Sequence, residues 1–443
     1  MVLGFDIHQD EMPCEQTQEG RGMNSRTEPA GADRHHTIVI VGGGAAGISV
    51  ASSLHKRDRR LDIAILEPSA THHYQPGWTM VGGGVFQPEV TSRPMSQVMP
   101  GFVSWYQQAV SGVMPEQNQV RLADGSSISY QALVLAPWLE LNWSAIDGLE
   151  SALGDNGVTS NYRQGMAQYT WQTVQALKKG RALFSQPPMP IKCAGAPQKA
   201  MYLSSDHWRR NGVLGQLDIQ FHNAGAVLFG VPAYVPALQE YIDKYGIQVN
   251  FQSNLVAVNG PARKATFRLT EAEGNSQDRE LDFDMLHAVP PQRAPGFIRE
   301  SVLANDGGWL NLADDTLQHK TFANIFGLGD VSGTGNAKTA AAVRKQAPVV
   351  AENLIASLRN QPLPAAYLGY GSCPLTVENG RIVLAEFGYN GVLQPSFPQW
   401  VNDGTKATRA AWWLKAKQLP TLYWHGMLKG REWLAGPAVR EHH

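Results

Sequence analysis

Residues 37–47 read Thr-Ile-Val-Ile-Val-Gly-Gly-Gly-Ala-Ala-Gly, a β-branched run that ends in Gly42-x-Gly44-x-x-Gly47. A continuous run of this kind suits a strand buried on both faces. In the turn, the first glycine allows the tight bend and the second lets backbone approach a pyrophosphate. The third lets the next helix pack closely on the strand. A helical stretch through Ser49 to Lys56 and a second strand, Leu61 to Leu66, complete a βαβ unit. Such a unit predicts an α/β protein with a doubly wound sheet. The amides near Ala45 and Ala46 are expected to face phosphate at the helix N-terminus. Glu67 ends the second strand, 20 residues beyond Gly47, where a carboxylate accepts hydrogen bonds from ribose hydroxyls. Together these features point to dinucleotide binding.

A second signal specifies the dinucleotide. Gly327-Leu328-Gly329-Asp330 ends another strand, and Lys338-Thr339-Ala340-Ala341-Ala342-Val343 opens a helix. The pair resembles the second FAD motif of flavoproteins with two dinucleotide folds. That likeness implies Asp330 on the ribityl chain, with the helix start near Lys338 and Thr339 facing the flavin N1/O2 region. An ordinary G-x-G-D loop is the competing reading. Between the two motifs lies a second α/β portion, with strands at Ala182 to Phe184, Asp218 to Phe221 and Ile247 to Phe251. Its turn, His222 to Gly230, lacks an intact G-x-G-x-x-G, so a nicotinamide is not expected as the electron source. The expected domains are a tail at 1–34, a discontinuous FAD domain at 35–150 and 300–363, a second Rossmann-like domain at 151–299, and a C-terminal region at 364–443.

Composition narrows the partners. A formal net charge of −1 gives no general attraction to nucleic acid. No His or Cys cluster has zinc-ligand spacing, and no metal site is expected. No apolar run reaches the length of a spanning helix. The first 34 residues are acidic and lack the apolar core of a signal peptide. They read as a disordered, solvated tail, and Met23 is an alternative start.

The chain has 3 cysteines, too few for a disulfide scaffold. Cys14 lies in the tail. Cys193 follows a strand and precedes a helix whose first turn carries Pro197. The nearby helix start, Lys192 and Lys199 all favour a thiolate, as thiol–disulfide exchange requires. Cys373, in Gly371-Ser372-Cys373-Pro374-Leu375, carries no such local signal, and a buried apolar thiol is its plain alternative.

Several strings in order resemble the sulfide:quinone oxidoreductases, in the branch that includes the mitochondrial enzymes. They include Tyr74-Gln75-Pro76, Lys192 to Lys199, Met285-Leu286-His287, Lys338 to Val343, Tyr370 to Leu375 and Leu384-Ala385-Glu386-Phe387. The likeness runs from about residue 36 to 437. It implies FAD held by Ala45, Ala46, Glu67, Gln75, Asp330 and Lys338, with Val110 offering backbone to adenine. It also implies a redox disulfide between Cys193 and Cys373. Hydrosulfide opens this bond, Cys373 keeps the added sulfur as a persulfide, and Cys193 is released as a thiolate that reduces FAD. Ubiquinone or another membrane quinone then takes the electrons, and an acceptor such as sulfite or glutathione removes the sulfur. A homo-oligomer is compatible with this reading. Ala136-Pro137-Trp138 departs from the family's glycine-containing turn.

Quinone is lipid-soluble, so a membrane contact is expected. Residues 407–434 carry Trp412, Trp413, Tyr423, Trp424 and Trp433 among Arg409, Lys415, Lys417, Lys429 and Arg431, with Glu432 as the sole acid. This mixture suits a bilayer interface. It predicts a peripheral, monotopic protein of the inner or cytoplasmic membrane, with Pro420 splitting the segment into two short helices. Packing of these aromatics into the core is the alternative. The quinone pocket is expected near this segment and Phe387. Competing functions are the flavoprotein subunit of a sulfide dehydrogenase, a type II NADH dehydrogenase, and a non-enzymatic FAD-binding sulfur sensor at the membrane.

Overall fold

A computed structural model describes residues 34–271 and 274–440. Cys14, Met23 and the expected tail up to residue 33 lie outside them. The first strand spans Arg34–Val41, three residues longer at its start than the β-branched run. The added turn of pairing is anchored by His36, whose ring bonds Asp62 at 3.0 Å and Tyr106 at 2.9 Å.

Arg34–Val41 is central to a seven-stranded sheet. It pairs in parallel with Ile63–Leu66 and Ser127–Leu135, and Ile325–Gly327 joins in parallel beside the latter. Thus the 325–327 strand, remote in sequence, completes the sheet begun at residue 34. Helices Ala45–Arg57 and Ala340–Leu358 pack on one face, burying Ile38, Ile40, Ile48, Leu54, Val350 and Leu354 in one cluster. The glycine turn is sterically obligatory. Gly42 has φ +101°, and a Cβ there would lie 2.4 Å from the Ala136 carbonyl oxygen; on Gly47 it would lie 1.8 Å from the Gly42 carbonyl oxygen. The Ala136-Pro137-Trp138 turn keeps the expected crossover, with the Ala136 amide donating to Val41 at 2.9 Å.

The second sheet is five-stranded and parallel. It is ordered Val158–Thr159, Met285–His287, Gly180–Gln186, Leu217–Asn223 and Gln248–Phe251. Helix Ala196–Arg210 covers it, with Tyr202 and Trp208 fully buried. The hairpin Gly371–Glu378 with Arg381–Phe387 shares this core through Leu375, Val377, Val383 and Ala385. A hairpin from the C-terminal region therefore docks on the helix that follows Cys193.

The C-terminal segment corrects two expectations. Pro420 does not divide it. Helix Arg409–Trp413 runs through a π turn, Leu414–Gln418, into helix Leu419–His425. Pro420 falls in the first turn after the π segment, where its missing N–H removes little. Nor do all the aromatics face outward. Tyr423 and Trp424 are buried against His72 and Tyr74, and Arg93 lies over the Trp424 ring. Trp413 and Trp433 remain exposed. Glu432 anchors the segment to the first helix through Arg57 at 2.6 Å, Lys56 at 2.9 Å and Ser53 at 2.5 Å. Among the described residues, no helix is long and apolar enough to cross a membrane.

Candidate active site

Cys193 sits in the loop between strand Gly180–Gln186 and helix Ala196–Arg210. Its backbone is left-handed, with φ +47°, a conformation that costs energy in a non-glycine residue and holds only where surroundings impose it. Three contacts impose it. The Cys193 amide donates to the Lys338 carbonyl at 3.0 Å, the Ala196 amide donates to the Cys193 carbonyl at 2.7 Å, and the Tyr162 hydroxyl donates to the Lys192 carbonyl at 2.9 Å. The first of these joins the Cys193 loop to the residues just before helix Ala340–Leu358.

This loop aims the Cys193 thiol at Cys373. The two sulfurs are 3.6 Å apart, and both thiols are free. A disulfide needs an approach of about 1.5 Å from there. Cys373 is buried in the hairpin strand, behind Cys193, and Gly195 leaves room for it: a Cβ on Gly195 would lie 2.6 Å from the Cys373 sulfur.

The electrostatics of the pair are asymmetric. The hydrogen bond from the Cys373 thiol holds Cys193 well below the ordinary thiol range, against its burial, and Lys199 and Lys415 add their charge. Lys199 donates to the Cys193 sulfur at 3.2 Å. Cys373 is pushed well above that range by the same hydrogen bond and by burial. Cys193 is thus the thiolate and Cys373 the thiol. Burial would lower Lys199, but the adjacent sulfur charge outweighs it and raises the ammonium. Burial and the neighbouring Lys199 bring Lys415 down to about 8, and its ammonium donates to the Pro76 carbonyl at 3.1 Å.

Two lysines depart from expectation. Lys192 does not assist Cys193, because its ammonium turns to Asp330, at 2.7 Å, and to Gln75, and lies over the Trp138 ring. The left-handed backbone at Cys193 sends the two neighbouring side chains in different directions. Lys415, read as an interfacial residue, is buried at the thiols instead. Neighbouring tryptophans and lysines masked it, and no sequence signal separates it from Lys417, which is exposed.

A cavity of about 270 Å³ opens in front of Cys193. Gln75, Lys338 and Thr339 line it with Cys193, whereas Cys373, Asp330 and Gly329 are not among its lining residues. Asp330 is held by Lys192, and the Gly329 amide donates to the Gln346 side chain at 3.0 Å. Lys338 is buried over Trp309 and donates to the Ser332 carbonyl at 2.6 Å; burial brings its ammonium down to about 8. Thr339 caps its helix, accepting from the Ala342 amide at 3.1 Å. Val110 begins the strand Val110–Met114 at the far edge of the first sheet, away from the cavity.

The residues present fit FAD. Helix Ala45–Arg57 starts without a side-chain cap and without an acid in its first turn, which leaves the amides at Ala45 and Ala46 free for an anion. A Cβ on Gly44 would meet nothing within 4 Å, so space opens in front of the turn. Glu67 is fixed beside that turn by the Gly43 and Ser69 amides, each at 2.8 Å. From there the arrangement continues to Gln75, Lys338 and Thr339 at the cavity.

Two dinucleotide folds meeting at a thiol pair define a flavin-dependent disulfide oxidoreductase. The family model for pyridine nucleotide-disulphide oxidoreductases matches residues 36–175. Similarity to curated proteins is more specific. "Sulfide:quinone oxidoreductase, mitochondrial" of Dictyostelium discoideum is 41% identical over 89% of this chain and 86% of its own length. The mouse protein of the same name is 37% identical over 92% and 89%. The crystal structure of the sulfide:quinone oxidoreductase from Aquifex aeolicus superposes with a TM-score of 0.71 at 20% identity, covering 89% of this chain and 92% of that one. The chain belongs to the sulfide:quinone oxidoreductase family, a group of FAD-dependent enzymes that use quinone as electron acceptor. This membership favours the principal reading over the sulfide dehydrogenase subunit, the NADH dehydrogenase and the sulfur sensor.

Proposed function

We propose that this sulfide:quinone oxidoreductase works through Cys193 and Cys373 as its redox pair. The observation that carries the assignment is the geometry of the two thiols, 3.6 Å apart with Lys199 at 3.2 Å from Cys193. Hydrosulfide attacks the Cys373 sulfur of the oxidised pair and the S–S bond breaks. Cys373 keeps the incoming sulfur as a persulfide, and Cys193 leaves as a thiolate. Lys199 and Lys415 stabilise that leaving group, and a stabilised thiolate leaves faster. A nucleophile such as sulfite or glutathione then takes the outer sulfur and returns Cys373 to a thiol. The pair closes again by giving up two electrons and a proton. FAD, when bound, would supply the two-electron acceptor for this step and the route for those electrons to quinone. Gly42, Gly44, Ala45, Ala46, Gly47 and Glu67 would hold its nucleotide part. Gln75, Gly329, Asp330, Lys338 and Thr339 would hold the flavin part, and Val110 would offer backbone to adenine.

The same reading places the protein on a bilayer surface, at the inner or cytoplasmic membrane. Exposed Trp400, Trp413, Trp433 and Leu434 support this, because tryptophan favours the headgroup boundary. Anaerobic mixing with sulfide tests the thiol assignment. Flavin absorbance should bleach in the wild type and be restored by a short-chain quinone. Bleaching that proceeds equally well in Cys373→Ser refutes it.

A further inference from the structure

Quinone reduction consumes protons, and Glu386 lines the cavity together with Lys338 and Lys415, groups that can carry them. Glu386 is the only carboxyl group among the described residues that line it. It is 5% exposed and held by three donors: the Tyr370 hydroxyl at 2.6 Å, the Ser396 hydroxyl at 2.5 Å and the Ser396 amide at 3.1 Å. Cys373 occupies the opposite face of the same hairpin, whereas Cys193 lines the cavity from the loop before helix Ala196–Arg210. Neighbouring residues of a strand alternate sides. Cys373, paired with Ala385, faces helix Ala196–Arg210, whereas Ser372, paired with Glu386, faces the cavity.

The surroundings of Glu386 suit a lipid-soluble substrate. Leu384, Phe397, Leu414, Leu419 and Leu422 line the cavity with it. Ser396 belongs to a segment whose Val392, Leu393, Trp400 and Val401 are exposed. A buried carboxyl in apolar walls is costly unless it is used or fully satisfied. Both carboxyl oxygens are engaged, Oε1 by the Tyr370 and Ser396 hydroxyls and Oε2 by the Ser396 amide, so E386Q also loses the bond from that amide, which the donor-only NH2 cannot accept.

Resting on the family activity proposed above, we infer that Glu386, with Tyr370, is the proton donor to quinone. One O–H bond of the Glu386 carboxyl breaks as an O–H bond forms at a quinone oxygen. The two electrons are those that sulfide has delivered to bound FAD. The second proton of the quinol comes from water, and water reloads the carboxylate through Ser396. Tyr370 and Ser396 stabilise the transient carboxylate. Lys345, which lies 5.7 Å over the Tyr370 ring, Arg344 and Tyr234 are the other charged or titratable groups facing this cluster.

The test separates proton delivery from structure. Wild type, E386Q, E386D and Y370F are reduced anaerobically with dithionite and reoxidised by either a short-chain quinone or ferricyanide, which takes electrons without protons. General acid catalysis contributes 10²–10⁴-fold. E386Q should therefore slow quinone reoxidation about 100-fold with little change in quinone KM. Ferricyanide reoxidation should stay at the wild-type rate, and E386D should recover part of the loss. Redox-difference infrared spectra should show a carboxyl C=O band that E386Q lacks. If E386Q does not fold, a roughly tenfold loss in Y370F, confined to quinone, decides the question. Quinone reoxidation within threefold of wild type overturns the inference, as does an equal loss with ferricyanide. Reduction by sulfide, measured separately on the same variants, reports on the thiol pair, so a failure there is distinguishable from a failure here.

Discussion

Replacing Lys199 with methionine removes the nearest positive charge from Cys193 while keeping most of the side-chain volume. The ammonium lies 3.2 Å from the sulfur. Coulomb's law at an effective dielectric constant of about 20 gives an attraction of about 5 kcal/mol at that distance. This is an upper bound on the loss. The hydrogen bond from Cys373, the largest influence lowering Cys193, survives the substitution. Lys415 also takes over part of the role. Its ammonium is depressed by burial and then by Lys199, and removing Lys199 lets it charge more fully. A net loss of about 2 kcal/mol remains, or an acid dissociation constant about 30-fold smaller for the Cys193 thiol. The assay is alkylation of the reduced enzyme by iodoacetamide against pH, with Cys193→Ser supplying the background from Cys14 and Cys373. The alkylation profile of K199M should move to higher pH and meet the wild-type rate once both thiolates are formed, since a weaker acid needs a higher pH to ionise. A K199M profile that superposes on wild type refutes the electrostatic account of the site. A larger effect from K415M than from K199M would show that the more distant lysine dominates.

Two further predictions concern the C-terminal segment. Burial alone would raise the Glu432 carboxyl, but hydrogen bonds from Arg57, Ser53 and Lys56 bring it below its ordinary 4.5. A carboxyl lowered in the folded state adds stability above the unfolded value, and loses it as the pH falls through the folded one. E432Q should therefore cost about 2 kcal/mol in urea unfolding at pH 7, because a half-buried pair is broken while Arg57 keeps Glu352 at 2.8 Å. The gap should close below about pH 4, and a gap unchanged at pH 3 refutes the assignment. For the bilayer contact, W413A/W433A should float several-fold less with anionic vesicles while sulfide still bleaches the flavin normally. Undiminished flotation excludes these tryptophans as the contact.

Local rules made much of the fold legible. The run Thr37 to Gly47 could form only a buried strand and a tight turn, since a Cβ at Gly42 or Gly47 would strike backbone oxygen. Glu67 was equally readable, because a strand end is set by near neighbours, whereas the Thr339 cap emerged only in the structure. Lys192 was misread for a related reason. Adjacency in sequence suggested contact with Cys193, but the strained loop sends consecutive side chains in different directions. Tyr162 and Lys415 left no trace, since each reaches the site from a distant segment.

The sequence by itself determined two dinucleotide folds, the FAD turn, and two cysteines whose family likeness implied a pair. It could do so because strand burial, turn sterics and helix capping act over a few residues. Only the tertiary structure decided which groups share a dielectric. It docks the 371–387 hairpin on helix Ala196–Arg210, which sets the sulfurs 3.6 Å apart, buries Lys415 beside Lys199, and leaves Glu386 alone as the acid on the cavity side. Charge interactions depend on distance and burial in space, and among the described residues ion-paired groups are separated by up to 376 residues, as Lys56 and Glu432 are.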